Sequence, residues 1–98
     1  MVNAIVLINV DRGHVNSVAE QLVALDGVTE VFSVAGRYDL LAVLRSTSNE
    51  RIADLVTRAI MDIDHIAQTE TLLAFRVFSR YDLEAMFSIG MPGAVKAD

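Results

Sequence analysis

The chain has 98 residues, enough for one compact domain and too few for two. Hydrophobic residues make up 53% of it, yet no apolar run reaches the roughly 20 residues of a membrane-spanning helix, which excludes a helical membrane protein. The net charge of −5, with no cluster of Lys or Arg, argues against nucleic-acid binding, and the absence of cysteine removes disulfide scaffolds, thiolate metal sites and cysteine nucleophiles together.

Residues 2–10, VNAIVLINV, are apolar and β-rich and predict a first strand. Along DRGHVNSVAEQLVALDG the period changes: Val15, Val18, Ala19, Leu22 and Leu25 fall at helical spacing, and Gly27 stands where a helix C-terminus favours a left-handed residue. A second strand, VTEVFSVA, runs from Val28 to Ala35, and after the polar knot Gly36-Arg37-Tyr38-Asp39 a third, LLAVLR, runs from Leu40 to Arg45. Thr47 and Glu50 then stand at capping-box spacing and start a second helix, whose stripe is Ile52, Leu55, Val56, Ala59, Ile60 and Ile63. The fourth strand is ETLLAFRVF, extended back to Gln68. In RYDLEAMFSIG, Leu83, Met86 and Phe87 share one helical face, and a frayed tail, MPGAVKAD, follows.

The order β-α-β-β-α-β repeats a β-α-β unit. An echo at an offset of 38 residues supports this, with Ala4-Ile5-Val6 on Ala42-Val43-Leu44 and Leu25-Asp26 on Ile63-Asp64. Such repeats form the α+β ferredoxin-like split fold, an antiparallel sheet with both helices on one face. The first and third strands are apolar on both faces, whereas a half-solvated antiparallel sheet alternates apolar with polar. Two helices cover one face only. The sequence therefore predicts a second subunit's sheet over the other, a sheet-to-sheet dimer of the dimeric α/β barrel kind. Residues 1–10 carry neither a basic start nor a small-residue cleavage site, which points to the cytoplasm.

Three stretches carry polar chemistry. The first is the Gly36–Asp39 knot, which sets a cation, a phenol and a carboxylate at the mouth of two strands where a plain hairpin needs only Asn-Gly or Asp-Gly. A carboxylate there can accept an ammonium group, and amides around a Gly turn can hold a carboxylate. The second is Gln68-Thr69-Glu70-Thr71, in which the Thr69 and Thr71 hydroxyls share one side of the strand, a pattern that β-propensity alone also explains. The third is Asp62-Ile63-Asp64-His65, read as a solvated helix end. It is too sparse for a metal site, since His14 is the only other histidine. No P-loop, GxGxxG or GxSxG motif is present, so neither cofactor nor catalysis is indicated.

The run from VTEVFSVAGRYDLLAVLR to IDHIAQTETLLAF resembles the C-terminal effector-binding (RAM) domain of the Lrp/AsnC transcription regulators. Val31, Gly36-x-Tyr38-Asp39 and the ETLLAF strand carry the likeness over roughly residues 2–79, and the ending RYDLEAMFSIG resembles that of stand-alone members. The resemblance implies a domain over 1–79 with a short helix and tail over 80–98. It also implies dimers assembling into rings of eight or ten chains, and a free amino acid bound between dimers near the second-to-third-strand loop. By position it places Gly36, Tyr38 and Asp39 at the ligand, with Thr69 and Thr71 as further contacts, and gives Arg37 no role. The regulators also carry a helix-turn-helix domain, whereas this chain opens in the first strand. The expectation is thus a non-enzymatic amino-acid-binding module that touches no DNA itself and modulates full-length Lrp/AsnC regulators by mixed assembly.

A small dimeric α/β-barrel enzyme, such as a cofactor-free monooxygenase or isomerase, is the alternative. It needs polar side chains in a cavity between sheet and helices, where this sequence places an aliphatic stripe. An RRM-like RNA binder needs aromatics on the central strands, and the first and third strands have none.

Overall fold

Strand β1 (Val2–Val10) lies near the middle of a four-stranded sheet of order β2-β3-β1-β4, in a computed structural model that describes residues 1–78 and Arg80. It is followed by α1 (Val15–Val23), β2 (Val28–Ser33), β3 (Leu40–Ser46), α2 (Asn49–Asp54) with a π-helical continuation over Leu55–Ala59, and β4 (Ile66–Ala74). Every strand pairing is antiparallel. This is the α+β ferredoxin-like order that the sequence predicts. The element expected over 80–90 lies, Arg80 apart, outside the described residues.

The register explains the internal echo. Ile5 of β1 pairs with Val43 of β3, Ala4 with Leu44, and Val6 with Ala42. Ile5 and Val43 are the equivalent residues of the two repeats, so a local two-fold axis passes through that pair and relates one β-α-β half to the other.

Directly opposed residues share a face. On one face Ala4, Val6, Ile8, Leu40, Ala42 and Leu44 have no exposed surface, covered by Val18 and Leu22 of α1 and by Ile52, Leu55 and Ile60. Each large side chain so buried contributes on the order of 1.5–3 kcal/mol. No polar or charged residue is buried among the described residues, so the fully buried core between sheet and helices is apolar. On the other face Ile5, Leu7, Leu41 and Val43 are only half-buried, and Phe32 and Leu72 keep 47% and 46% of their surface exposed.

The second helix departs from the sequence expectation twice. Its N-cap is Ser48, whose Oγ accepts from the Arg51 amide at 3.2 Å, one residue past the expected Thr47. The Ile60 amide donates to the Leu55 carbonyl at 2.9 Å, a π turn. In a regular helix two residues five apart are turned about 140° from each other. The extra residue of the π turn brings Leu55 and Ile60 into the same core, where both are buried.

Strand β4 starts and ends earlier than its composition suggests, and β1 is its one partner among the described residues. Ile66 pairs with Val10 and Ala74 with Asn3, the last pair between the two strands, and Phe75, Val77 and Phe78 beyond it are all exposed.

Gly27, expected at the end of the first helix, instead makes the turn into β2 with φ +100°, three residues beyond the C-cap Ala24. Its carbonyl accepts from the Arg45 amide at 2.8 Å, and a Cβ there would stand 3.0 Å from Leu55 Cδ2. Gly27→Ala is therefore expected to lower stability by roughly 1–2 kcal/mol, from the left-handed backbone and the contact with Leu55. Urea unfolding followed by circular dichroism measures it, and an unchanged midpoint would refute the strain.

Candidate functional site

The loop between β2 and β3 continues the β1–β3 ladder past its last pair, Ile8 with Leu40. The Asp39 amide donates to the Ile8 carbonyl at 3.0 Å, and the Asp39 carbonyl accepts from Val34 at 3.0 Å, closing the loop on itself. At the irregularity between Asn9 and Val10, the Val10 amide donates to Asp39 Oδ2 at 2.9 Å. The Asp39 carboxylate thus has a structural duty, a bond to a backbone amide as in an ordinary polar loop, but with a partner 29 residues away that fixes the loop to the end of a central strand. Its Oδ1 accepts no hydrogen bond among the described residues.

Gly36 makes the bend with φ +128°, and the space where a Cβ would stand is open. No hydrogen bond among the described residues engages the amides of Gly36 and Arg37. Tyr38 reaches across β1 and donates its hydroxyl to Glu70 Oε1 on β4. That hydrogen bond, then partial desolvation and the Glu70 charge, raise the Tyr38 pKa above its ordinary value, against a smaller lowering by Arg37.

The structure brings Gly36, Tyr38 and Asp39 together in one loop and separates Thr69 and Thr71 from Tyr38's contact. Thr69 pairs with Ile8 and Thr71 with Val6, which turns both hydroxyls to the helix side of the sheet. Glu70 pairs with Leu7 and faces the open side. The alternation that made the two threonines a pair also sends the residue between them to the opposite face. The signal that could have found Glu70 is a charge on the strand face that also carries Leu72 and lies beside Leu7 of β1.

The Asp62–His65 stretch does not form a simple helix end. His65 adopts φ +74°, its carbonyl accepts from the Asp11 amide at 2.8 Å, and its ring stacks on His14 with centroids 3.5 Å apart. No group of three or more metal-ligating side chains converges among the described residues. A cleft of about 590 Å³ lies at the other end of β3 from the loop, beside Arg45, Arg51, Asp54, Leu55, Arg58 and Asp62. Its four helical charges alternate in sign at spacings of three and four residues, the pattern of a solvated helix face.

Fold and loop together define a small α+β domain with an apolar core that buries no polar residue among those described, and a fixed polar loop at one end of the sheet. A family model for the Lrp/AsnC ligand binding domain matches residues 3–83, and the chain belongs to that family. An uncharacterised HTH-type transcriptional regulator of Pyrococcus horikoshii is 40% identical over 58 residues, which cover 59% of this chain and 39% of that protein. The chain thus spans about two fifths of the length of the curated relatives it matches. Among solved structures, the protein TTHA0845 of Thermus thermophilus superposes with a TM-score of 0.77 at 41% identity, covering 82% of this chain and 100% of that one. AsnC of E. coli superposes with a TM-score of 0.72 at 26% identity, covering 78% of this chain and 52% of that one.

The Tyr38–Glu70 bond has a pH signature. A folded-state pKa above the ordinary value of 10.0 means that the bond's contribution is complete below that pH and is lost as pH rises through the folded value. Absorbance titration of a Tyr81→Phe background, which leaves Tyr38 as the only tyrosine, is expected to show ionisation later than in free tyrosine. Glu70→Ala should bring it back down, and an unmoved titration would show that the bond does not form.

Proposed function

We propose that residues 1–79 form an amino-acid-binding regulatory and oligomerisation module. It acts in the cytoplasm without catalysis, pairing sheet to sheet with a second copy and modulating full-length Lrp/AsnC regulators through mixed assembly. Family membership supports the regulatory role, since the matched domain is a ligand-binding one and the curated relatives are transcriptional regulators. The observation that carries the ligand site is the loop itself. It is tied to β1 through Asp39, yet it keeps the Gly36 and Arg37 amides and one Asp39 oxygen without an internal partner.

A free amino acid presents an ammonium and a carboxylate on one carbon, so its site must offer an acceptor and donors side by side. In this reading Asp39 Oδ1 accepts from the ammonium, the amides of Gly36 and Arg37 donate to the carboxylate, and Tyr38 walls the side chain. Thr69 and Thr71, on the other face of β4, serve only a ligand that reaches round this edge strand.

Assembly is supported by the uncovered sheet face. Ile5, Leu7, Phe32, Leu41, Val43 and Leu72 form a contiguous apolar surface, and an identical face brought over it by two-fold symmetry buries both at once. Rings of such dimers would place the loops of neighbouring dimers near each other, so that a ligand shared between them favours the larger assembly by its differential affinity and no more. DNA contact, in this reading, is made by the partner regulators. No helix among the described residues is long and apolar enough to cross a membrane.

The apolar core between sheet and helices, with no polar residue buried among those described, favours this reading over a barrel enzyme, which needs polar groups there. Calorimetry with the twenty proteinogenic L-amino acids tests the binding function. At least one is expected to bind, and Asp39→Ala should weaken it roughly tenfold to a hundredfold, the worth of a charge-assisted hydrogen bond. Asp39→Ala should also loosen the end of β1, seen as faster amide exchange at Val10. Absence of any binding at millimolar concentration would leave a purely structural module.

A further inference from the structure

The turn into β4 carries a histidine where the backbone favours glycine. His65 stands at φ +74°, the one non-glycine residue with positive φ among those described. At the repeat offset of 38 residues its counterpart is Gly27, which makes the turn into β2. The first repeat thus meets this conformation with the residue that adopts it freely, the second with an imidazole. That ring stacks face to face on His14, with centroids 3.5 Å apart and planes 5° from parallel. These two are the only histidines of the chain.

The stack joins two turns at the end of β1. His14 is the N-cap of α1, its side chain makes no capping bond, and its amide donates to the Asp11 carbonyl at 3.1 Å. The Asp11 amide donates to the His65 carbonyl at 2.8 Å, and Asp11 Oδ2 lies 3.5 Å from His65 Nδ1. One residue earlier, the Val10 amide donates to Asp39 Oδ2. Two successive amides therefore anchor the strand end, one to the β2–β3 loop and one to the turn before β4.

We propose that Asp11, His14 and His65 form a proton-sensitive clasp on this strand end, closed while the two rings carry at most one charge and opened by a second proton. Neutral imidazoles stack, and a single imidazolium in the pair is matched by the Asp11 carboxylate. Two imidazolium rings face to face leave a positive charge unmatched at a separation of 3.5 Å. They can part, because the His65 side chain keeps 45% of its surface exposed. The open state holds one proton more than the closed one, so acid favours it. Neighbouring charges do not take over the part of Asp11, which is the one carboxylate within 4 Å of either imidazole's nitrogens among the described residues. Helix α1 opens with uncharged residues, Arg12 and Asp64 are exposed, and Asp62 lines the cleft with Arg58. Asp39 is bonded to Val10, and Glu70 of β4 to Tyr38 on the open face. The clasp thus ties the order of the strand end, and of the loop anchored there, to pH, whatever the loop binds.

Amide exchange followed by NMR on the full chain tests the clasp, read as protection at Asp11 relative to an unstructured peptide at the same pH. The range runs from about pH 7.5 to about pH 5, which spans the ordinary histidine pKa and leaves aspartates charged. The wild type is expected to lose protection at Asp11 roughly tenfold to a hundredfold, the worth of two like charges about 4 Å apart near a protein surface. Val10 should follow it. His14→Phe keeps a stacking ring that takes no proton, and His65→Gly removes the other ring while suiting the backbone at that turn. Circular dichroism shows whether each variant keeps the wild-type fold, and either folded variant should hold its Asp11 protection constant over the range. Unchanged Asp11 protection in the wild type would overturn the clasp. The same loss in a folded variant would also overturn it, since the titrating group would then lie elsewhere.

Discussion

The structure depends on the pairing of β1 with β3, two strands apolar on both faces and placed at the centre of the sheet. A strand of this kind cannot be satisfied by one layer of helices. The residues Ala4, Val6, Ile8, Leu40, Ala42 and Leu44 disappear beneath α1 and α2, while the residues between them face outward. The local two-fold through Ile5 and Val43 makes this doubly so, because each repeat contributes the same two-faced strand. The same two strands therefore build the inner layer of the domain and carry the outer apolar face that, in the proposed reading, receives a second copy.

The polar loop is an outgrowth of that central pair rather than an appendage to it. Where the β1–β3 ladder ends at Ile8 and Leu40, Asp39 prolongs it, first with its own amide and then with its carboxylate on Val10. Tyr38 adds a second tie, over β1 to Glu70 on the open face. A ligand at this loop consequently acts on groups already linked to the sheet, and the open face that a partner would cover carries one of those groups. In the proposed reading, sensing and assembly would share a mechanical base without needing a moving part between them.

Much of this was legible in the residues. The change of period at Asp11, the polar knot at Gly36–Asp39 and the repeat at an offset of 38 residues are all encoded by local pattern, and they fix the order of elements and the two-faced strands. What was not legible depends on partners distant in sequence. The limits of β4 are those of its pairing with β1, which ends at Asn3 and Ala74, so residues 75–78 look like strand in composition but lie outside the ladder. The π turn at Leu55–Ala59 satisfies core packing between Leu55 and Ile60 and has no signature in helical periodicity. At the site, Asp39 was visible as a loop carboxylate, but its bond to Val10 spans 29 residues of sequence, and Glu70 meets Tyr38 across 32. Period-two reasoning correctly put Thr69 and Thr71 on one side. Only the register with β1 reveals that this side is the helix side and that Glu70 faces the opposite, open side.

The central claim is that the open face of the β1–β3 pair is completed by another copy of the chain. Sedimentation equilibrium at micromolar concentration addresses it without any substitution or ligand. The account predicts a mass that is an even multiple of the 10.7 kDa chain, with no folded monomer at the lowest concentration observed. A stably folded species of 10.7 kDa, unchanged over the concentration range, would contradict it.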